Sequence, residues 1–310
     1  MFSCLPKVGT GSVGAVFGNG LSNLPYDEYK KFLDRVGDRT KAADEQWNFL
    51  EQNIRKPSLD IYQTSYAGYL YLATLVKEKI LNPIATTNWD CIFERIMKLP
   101  KFNTKLLLNP CCSPEKLDSL DGYKTLSYEE LGVDSYKSST RLWKIHGDIN
   151  HALLSCCNTL TKMSPIMPFR RNDLFHMSCD REGKLSLRHH ILEPRSTVFG
   201  FEQEIAGAVD DLSGRDSRSD VSVILVLGFS GWDYEEIVKS IVKLSLSGKT
   251  KVFYVNQCRW IGEEPLLFTE LKKDDKQIIK ENANKVLEEI VKYYGLYDKY
   301  ASEYAYYLKV

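Results

Sequence analysis

The sequence lacks the features that mark several large classes of protein. Its 310 residues carry 41 Lys and Arg against 41 Asp and Glu, so no net charge would attract a polyanion such as DNA or RNA. Its longest apolar run, 221–229, is far shorter than the about 20 residues that a transmembrane helix needs. The N-terminus has no charged leader followed by an apolar core. We therefore expect a cytoplasmic protein without a membrane span and without a strong nucleic-acid site.

The eight cysteines provide neither a spaced disulfide framework nor a Cys-x-x-Cys clip of the kind that holds structural zinc. They occur as the adjacent pairs 111–112 and 156–157 and as the single residues Cys4, Cys91, Cys179 and Cys258. We therefore predict reduced thiols and no metal.

Short apolar runs alternate with segments of helical periodicity along the chain. The runs that we predict to be buried strands, each with its polar or glycine end, lie at 13–22, 83–90, 142–147, 221–230 and 251–256. Helical spacing is found in 26–80, 91–98 and 233–246 and from 276 onward. Continuous apolar strands alternating with helices are typical of a parallel sheet covered on both faces. The sequence predicts a doubly wound α/β fold.

We divide the chain into three parts. The doubly wound domain takes 13–25, 81–100, 141–150 and 192–275. A second, helical and irregular module takes 26–80, 101–140 and 151–191, with a strand at 106–108. Residues 276–310 form a helical tail, with one face made by Ile278, Ile279, Val286, Ile290 and Val291.

Two segments have open interpretations. Seven of the 18 tyrosines lie in the last 18 residues, where they serve either an interface or the packing of a helix on the sheet. Residues 148–195, which include Arg170, Arg171, His189 and His190, are predicted to be loop-rich and form an active-site cover, a subunit contact or a solvated loop.

Four predicted strands end in small or polar residues, at 18–22, 88–90, 146–147 and 228–230. Ligands of open α/β sheets bind at the carboxyl ends of the strands, so these residues form a candidate site. Another motif, Gly9-Thr-Gly-Ser-Val-Gly14, matches the dinucleotide pattern by letter. It precedes the first strand, whereas the mechanism needs glycines between a strand and a helix, so we discount it.

The ordered set of short motifs resembles the sirtuin family over residues 13 to 260. The motifs are Gly18-Asn-Gly-Leu-Ser22, Thr86-Thr-Asn88-Trp-Asp90, Lys144-Ile-His-Gly147, the Pro to Phe-Gly segment 193–200, Gly228-Phe-Ser230 and Val255-Asn256. The resemblance implies that NAD binds between a Rossmann-like domain and a smaller helical and irregular module, and that the enzyme consumes NAD by cleaving the bond between nicotinamide and ribose.

The resemblance also implies roles for individual residues. In the catalytic group, Asn88 orients the nucleophile, His146 acts as general base and Asp90 lies near the carboxamide. The cofactor-binding residues are Gly18, Asn19, Gly20 and Ser22 at the pyrophosphate, Gly228, Ser230 and Asn256 at the adenosine half, and Thr87 beside Asn88.

Structural roles for the catalytic candidates stay open. His146 could be a buried histidine bonded to the backbone, and either Asn88 or Asp90 could cap the helix that follows them.

The sequence departs from protein-deacylating sirtuins because it lacks the two zinc clips and the Phe-Arg element after the first glycine loop. In addition, Thr87 stands where those sirtuins commonly have a Gln next to the catalytic Asn. In these respects the chain resembles the zinc-less branch of bacterial anti-phage effectors, which hydrolyse NAD. We therefore predict an NAD hydrolase of that kind, gated by homo-oligomerisation, a partner ATPase or a phage-derived trigger. The alternatives are an NAD-dependent protein deacylase and a non-catalytic module that binds NAD or ADP-ribose.

Overall fold

The computed structural model describes part of the chain: residues 1–7, 12–21, 52–53, 66–88, 90–104, 106–108, 139–145, 151–154, 159–162, 185–186, 201–213, 221–229, 235–258, 264–273 and 277–308. The described strands are β1 Ser12–Phe17, β2 Leu81–Thr86, β3 Leu106–Leu108, β4 Thr140–Lys144, β5 His151–Leu154, β6 Thr159–Lys162, β7 Leu185–Ser186, β8 Val221–Leu227, β9 Lys251–Val255 and β10 Ile278–Ile279. The helices are α1 Ala67–Lys77, α2 Ile92–Ile96, α3 Phe201–Ser213, α4 Glu235–Leu246, α5 Leu266–Leu271, α6 Ala283–Tyr293 and α7 Ala301–Leu308.

Seven of the described strands form one parallel sheet in the order β10-β9-β8-β1-β2-β4-β3. From β1 the chain builds outward to one edge of the sheet. It then returns to β8 on the other side of β1 and builds toward the opposite edge. The strand order therefore reverses between β1 and β8, which makes this the topological switch point of the sheet.

The central strand β8 shows why the sheet is covered on both faces. Six of its seven residues are buried, and alternate side chains enter two different cores. Val223, Leu225 and Leu227 belong to the core that contains residues of α1, α2, α6 and α7, whereas Ile224 and Val226 belong to the core that contains residues of α3, α4 and α5. Because both faces of a strand are buried, its sequence is continuously apolar. The predicted doubly wound α/β fold is confirmed.

Strand β1 contains the last glycine of the discounted dinucleotide pattern. Gly14 is buried there, and a Cβ on it would lie 2.7 Å from Leu212 Cδ2 of α3. This glycine therefore allows a helix to pack closely on the strand, and Gly9 and Gly11 lie outside the described residues.

A buried polar cluster ties β4 to α3. The Asp211 carboxylate accepts a hydrogen bond from Trp143 Nε1 at 2.8 Å and lies 3.1 Å from Arg141 Nε. All three side chains are almost fully buried. The ion pair offsets part of the cost of burying the two charges, and the carboxylate gives the buried Trp143 N–H an acceptor.

One prediction of local structure is wrong, one is confirmed, and the loop-rich character of 148–195 stays a prediction. Residues 278–279 were placed on a helical face, but they form the edge strand β10, and the helix begins at Ala283. Residues 278–279 pair with β9. The helix starts only after Asn282, whose side chain caps it by accepting from the N–H of Asn284. The segment 148–195, expected to be loop-rich, contains a small antiparallel sheet in the order β6-β5-β7. The strand at 106–108 is present and pairs with β4.

The tyrosine-rich tail packs on the body of the protein through part of its length. Tyr300 and Tyr304 are buried, with Tyr300 stacked on Phe102 at 5.5 Å between ring centroids. The Tyr304 hydroxyl lies 2.6 Å from Thr74 Oγ1 of α1. These contacts support the packing interpretation, although other tail residues such as Tyr306 are exposed. No helix in the described part of the chain is long and apolar enough to span a membrane.

Candidate active site

Two glycine-containing turns meet at the switch point, just beyond β1 and β8. The Gly18 N–H donates to Leu227 O at 3.1 Å, and the Gly20 N–H donates to Gly228 O at 3.0 Å. Gly228 has φ +59°, and a Cβ on Gly20 would lie 2.7 Å from Gly228 Cα. The backbones are therefore in direct contact, which only residues without a Cβ permit.

This contact gives the glycines a role other than the one expected from sequence. The resemblance assigned Gly18 and Gly20 to close approach of a phosphate, but the Gly20 N–H is already bonded within the protein. Gly20 remains exposed at the sheet edge. The pyrophosphate assignment of these residues stays a prediction.

A buried hydrogen-bonded network lies at the end of the neighbouring strand β2. Asn88 Nδ2 donates to the Tyr69 hydroxyl at 2.8 Å, and that hydroxyl lies 3.4 and 3.3 Å from the two carboxylate oxygens of Asp90. Asn88 is 3% exposed, Asp90 1% and Tyr69 0%. Burial of a carboxylate, an amide and a phenol in one cluster requires mutual hydrogen bonds, which this arrangement supplies.

Hydrogen bonds in the turn between β2 and α2 fix the backbone that carries the Asn88 and Asp90 side chains. The backbone N–H of Asn88 donates to Thr86 Oγ1 at 3.0 Å, and the N–H of Thr87 donates to Phe17 O at 3.3 Å. An Asp90 carboxylate oxygen accepts from the Ile92 N–H at 3.0 Å, at the start of α2. Asp90 therefore bonds the first N–H of α2, although the N-cap position itself is Cys91, and the Asn88 side chain is left for Tyr69.

A buried ion pair is bonded to the same turn. Lys144 Nζ lies 2.9 Å from Glu94 Oε1 and also donates to the backbone carbonyl of Asp90. The Lys144 side chain is 2% exposed. A buried ammonium needs such acceptors to offset its lost hydration. Strand β4, helix α2 and the turn are therefore locked together.

The structure brings several of the predicted site residues to one edge of the sheet. Gly18, Gly20 and Gly228 meet at the switch point, and Asn88 and Asp90 lie beyond the adjacent strand. His146, Ser22 and Ser230 lie outside the described residues. Asn19 belongs to the short helical turn Asn19–Leu21.

Asn256 lies beyond β9 at the same edge. Its Nδ2 donates to Phe229 O at 3.2 Å, and its Oδ1 accepts from the Cys258 N–H at 2.9 Å. The amide thus joins the loop after β8 to the loop after β9. Its predicted contact with adenosine stays a prediction.

Burial governs ionisation at this end of the sheet. It raises the pKa of Tyr254 and the pKa of the Cys258 thiol above their usual values. Both groups are therefore neutral at neutral pH, and they offer hydrogen bonds rather than charge.

Three site residues were missed from sequence: Tyr69, Lys144 and Glu94. Tyr69 lies within 26–80, where helical spacing was predicted, and its ring packs against Phe17 at 5.6 Å between centroids. Its hydroxyl among the apolar residues of that segment was the available signal, because a buried phenol needs a hydrogen-bond partner. Lys144 within a continuous apolar strand was a similar signal.

Within the described residues, no three His, Cys, Asp or Glu side chains converge as a metal site requires.

Comparison with known proteins finds similarity at the level of structure. No protein-family model and no curated protein sequence matches the chain. A Sir2 homologue solved with NAD is similar with TM-score 0.55 and 14% identity, over 95% of this chain and 94% of that one. A mutant Sir2 homologue in complex with ADP-ribose has TM-score 0.54 and 14% identity, over 94% and 93%. Sir2Tm bound to a propionylated peptide has TM-score 0.50 and 15% identity, over 92% and 94%. The chain therefore has the sirtuin-like fold that its sequence motifs predicted.

Proposed function

We propose that the protein is an NAD hydrolase that releases nicotinamide and ADP-ribose. The observation that carries the proposal is the buried network of Asn88, Tyr69 and Asp90 beside the paired glycine turns. It lies at the end of β2, one strand from the switch point between β1 and β8, in a fold that is also found in a Sir2 homologue solved with NAD. An amide held in a fixed orientation at the ligand-binding edge of such a sheet suits the positioning of a small nucleophile.

In the proposed reaction the bond between nicotinamide and the ribose carbon breaks as that carbon acquires oxocarbenium character. Nicotinamide leaves with the bonding electron pair, and the oxygen of a water molecule forms the new bond to the carbon. Asn88 would orient the water or a ribose hydroxyl through the oxygen of its amide. His146, two residues beyond Lys144, would accept the proton, since a histidine titrates near neutral pH.

Hydrolysis is favoured over deacylation by what the sequence lacks. It has neither the zinc clips nor the Phe-Arg element of protein-deacylating sirtuins, so nothing indicates a groove for an acyl-lysine peptide. Water is then the available nucleophile. The alternative, an NAD-dependent deacylase, draws support from the similarity to Sir2Tm, which was solved with a propionylated peptide.

The test is to incubate the protein with NAD and to measure nicotinamide and ADP-ribose by chromatography. We expect release without any peptide, and a loss of about a hundredfold or more in kcat for Asn88→Ala. Asn82→Ala is the matched control, because it also removes an asparagine side chain that is hydrogen-bonded to a neighbouring segment, but at the amino end of β2, the end opposite the site.

The alternatives predict different results in the same assay. Release only when an acyl-lysine peptide is present would identify a deacylase and contradict the proposal. Tight binding of ADP-ribose in calorimetry without any turnover would identify a non-catalytic binding module.

An unregulated NAD hydrolase would deplete the NAD of its own cell, so we propose that its activity is gated, as in anti-phage defence. Homo-oligomerisation, a partner ATPase or a phage-derived component are the proposed triggers. Native mass and NAD turnover measured on the same sample test the first of these. A monomer with full activity would contradict gating by assembly.

A further inference from the structure

We propose that Tyr69 is a positioning residue that determines which end of the Asn88 amide faces the reacting groups. This inference rests on the proposed function for its catalytic consequence. Its structural part concerns only the orientation of one amide and can be tested without turnover.

The direction of the hydrogen bonds follows from what each group can donate. An ionised carboxylate accepts only, so the single proton of the Tyr69 hydroxyl is directed to Asp90. The phenol oxygen then has only acceptor capacity left for Asn88. The NH2 of Asn88 must therefore point to Tyr69, at 2.8 Å, and its carbonyl oxygen must point elsewhere.

The phenol is fixed well enough to impose this order. Its ring is 0% exposed and packs edge-on against Phe17, with centroids 5.6 Å apart, and also contacts Phe93 at 6.4 Å. The other end of the network is fixed as well, because the Asp90 carboxylate accepts from the Ile92 N–H and the Asp90 backbone carbonyl accepts from Lys144 Nζ. An amide between such anchors cannot rotate without losing a buried hydrogen bond.

Asp90 therefore acts through Tyr69 in this arrangement. If its carboxylate became an amide, the new NH2 could donate to the phenol oxygen. The phenol proton would then be free to turn toward Asn88, and the Asn88 amide could present its NH2 to the reacting groups. An isosteric change two residues away would thereby reverse the orientation of the proposed catalytic amide.

The first test measures kcat and KM for Tyr69→Phe, Asp90→Asn and the double variant. Each single variant should lower kcat about tenfold and leave KM for NAD within about twofold, because the orientation of the amide and not ligand contact is changed. Both changes break the same relay, so the double variant should be no slower than the slower single variant. A kcat within twofold of wild type for Tyr69→Phe, or losses that multiply in the double variant, would overturn the inference.

Tyr304→Phe is the matched control. It also removes a buried hydroxyl that is hydrogen-bonded to α1, at 2.6 Å from Thr74 Oγ1, but among the described residues this hydroxyl bonds Thr74 and not Asn88, Tyr69 or Asp90. We expect it to lower thermal stability about as much as Tyr69→Phe and to leave kcat unchanged. A parallel loss of kcat in Tyr304→Phe would show that Tyr69 acts through general stability, contrary to the proposal.

The second test does not depend on NAD cleavage. In protein with ¹⁵N-labelled asparagine, the side-chain NH2 signal of Asn88 is assigned by its disappearance in Asn88→Ala. In Tyr69→Phe this signal should shift and its exchange with water should accelerate at least tenfold. An unchanged signal would overturn the inference, whereas a changed signal in a protein that releases no nicotinamide would retain it and reject the proposed hydrolase.

Discussion

Replacing Gly228 by alanine tests whether the two glycine turns are held together by backbone contact. Gly228 has φ +59°, a conformation that costs a residue with a Cβ roughly 1–2 kcal/mol. The added methyl would also lie 2.8 Å from Gly20 Cα and 3.0 Å from Gly20 C. Backbone atoms cannot move aside by changing rotamer, so this overlap adds about 1–3 kcal/mol.

We therefore expect Gly228→Ala to lower the free energy of unfolding by roughly 2–5 kcal/mol. Gly248 and Gly295 provide matched controls, because they have φ +69° and +67° with nothing within 4 Å of an added Cβ. Their alanine variants carry the conformational cost alone. Gly20→Ala produces the same overlap from the other turn, with its Cβ 2.7 Å from Gly228 Cα.

The assay is urea unfolding followed by circular dichroism, with all four variants measured under one condition. The difference between Gly228→Ala and the two controls isolates the overlap between the turns. If Gly228→Ala lowers the free energy of unfolding by no more than Gly248→Ala does, the two turns separate easily and the packing argument is wrong. The glycines would then be better explained by close approach of a ligand.

Two further predictions concern charged groups. Partial burial would raise the pKa of Glu78, but hydrogen bonds from Lys299 and Tyr300 outweigh it and hold the pKa below its usual value. The stability from this carboxylate is therefore complete above its unfolded-state pKa of about 4.3 and is lost as the pH falls through the lower folded value. In thermal unfolding, the fall in Tm from pH 6 to pH 3 should be smaller for Glu78→Gln than for the wild type. An equal fall in both proteins would contradict the role assigned to Glu78. Glu94→Gln leaves Lys144 buried beside a neutral group and should lower the free energy of unfolding, measured in urea, by about 3–5 kcal/mol. A decrease of less than about 1 kcal/mol would mean that the ion pair is not desolvated.

Much of the fold follows from local sequence because burial on two faces dictates composition. The run 221–227 contains six buried residues and could be assigned as a central strand without a partner in view. The small residues after β1, β2 and β8 could likewise be placed at one edge, since parallel strands share a direction. Residues 278–279 could not be placed correctly, because two isoleucines fit a helix and a strand equally well and only the neighbouring β9 decides between them.

The candidate site divides in the same way. Sequence alone identified Asn88 and Asp90, because an amide and a carboxylate at a strand end are visible in the chain. It could not choose between them as the helix cap, and it missed the hydroxyl that joins them. Tyr69 is 19 residues from Asn88 and 21 from Asp90, so their contact exists only once α1 packs on the sheet.

The sequence by itself determined a neutral α/β chain with its chemistry at the ends of its strands, because composition and periodicity report burial. Only the tertiary structure decided how those ends meet. The contact of Gly20 with Gly228 and the ion pair of Lys144 with Glu94 join segments that are remote in sequence. Such contacts depend on the path of the whole chain, which no local pattern of residues encodes.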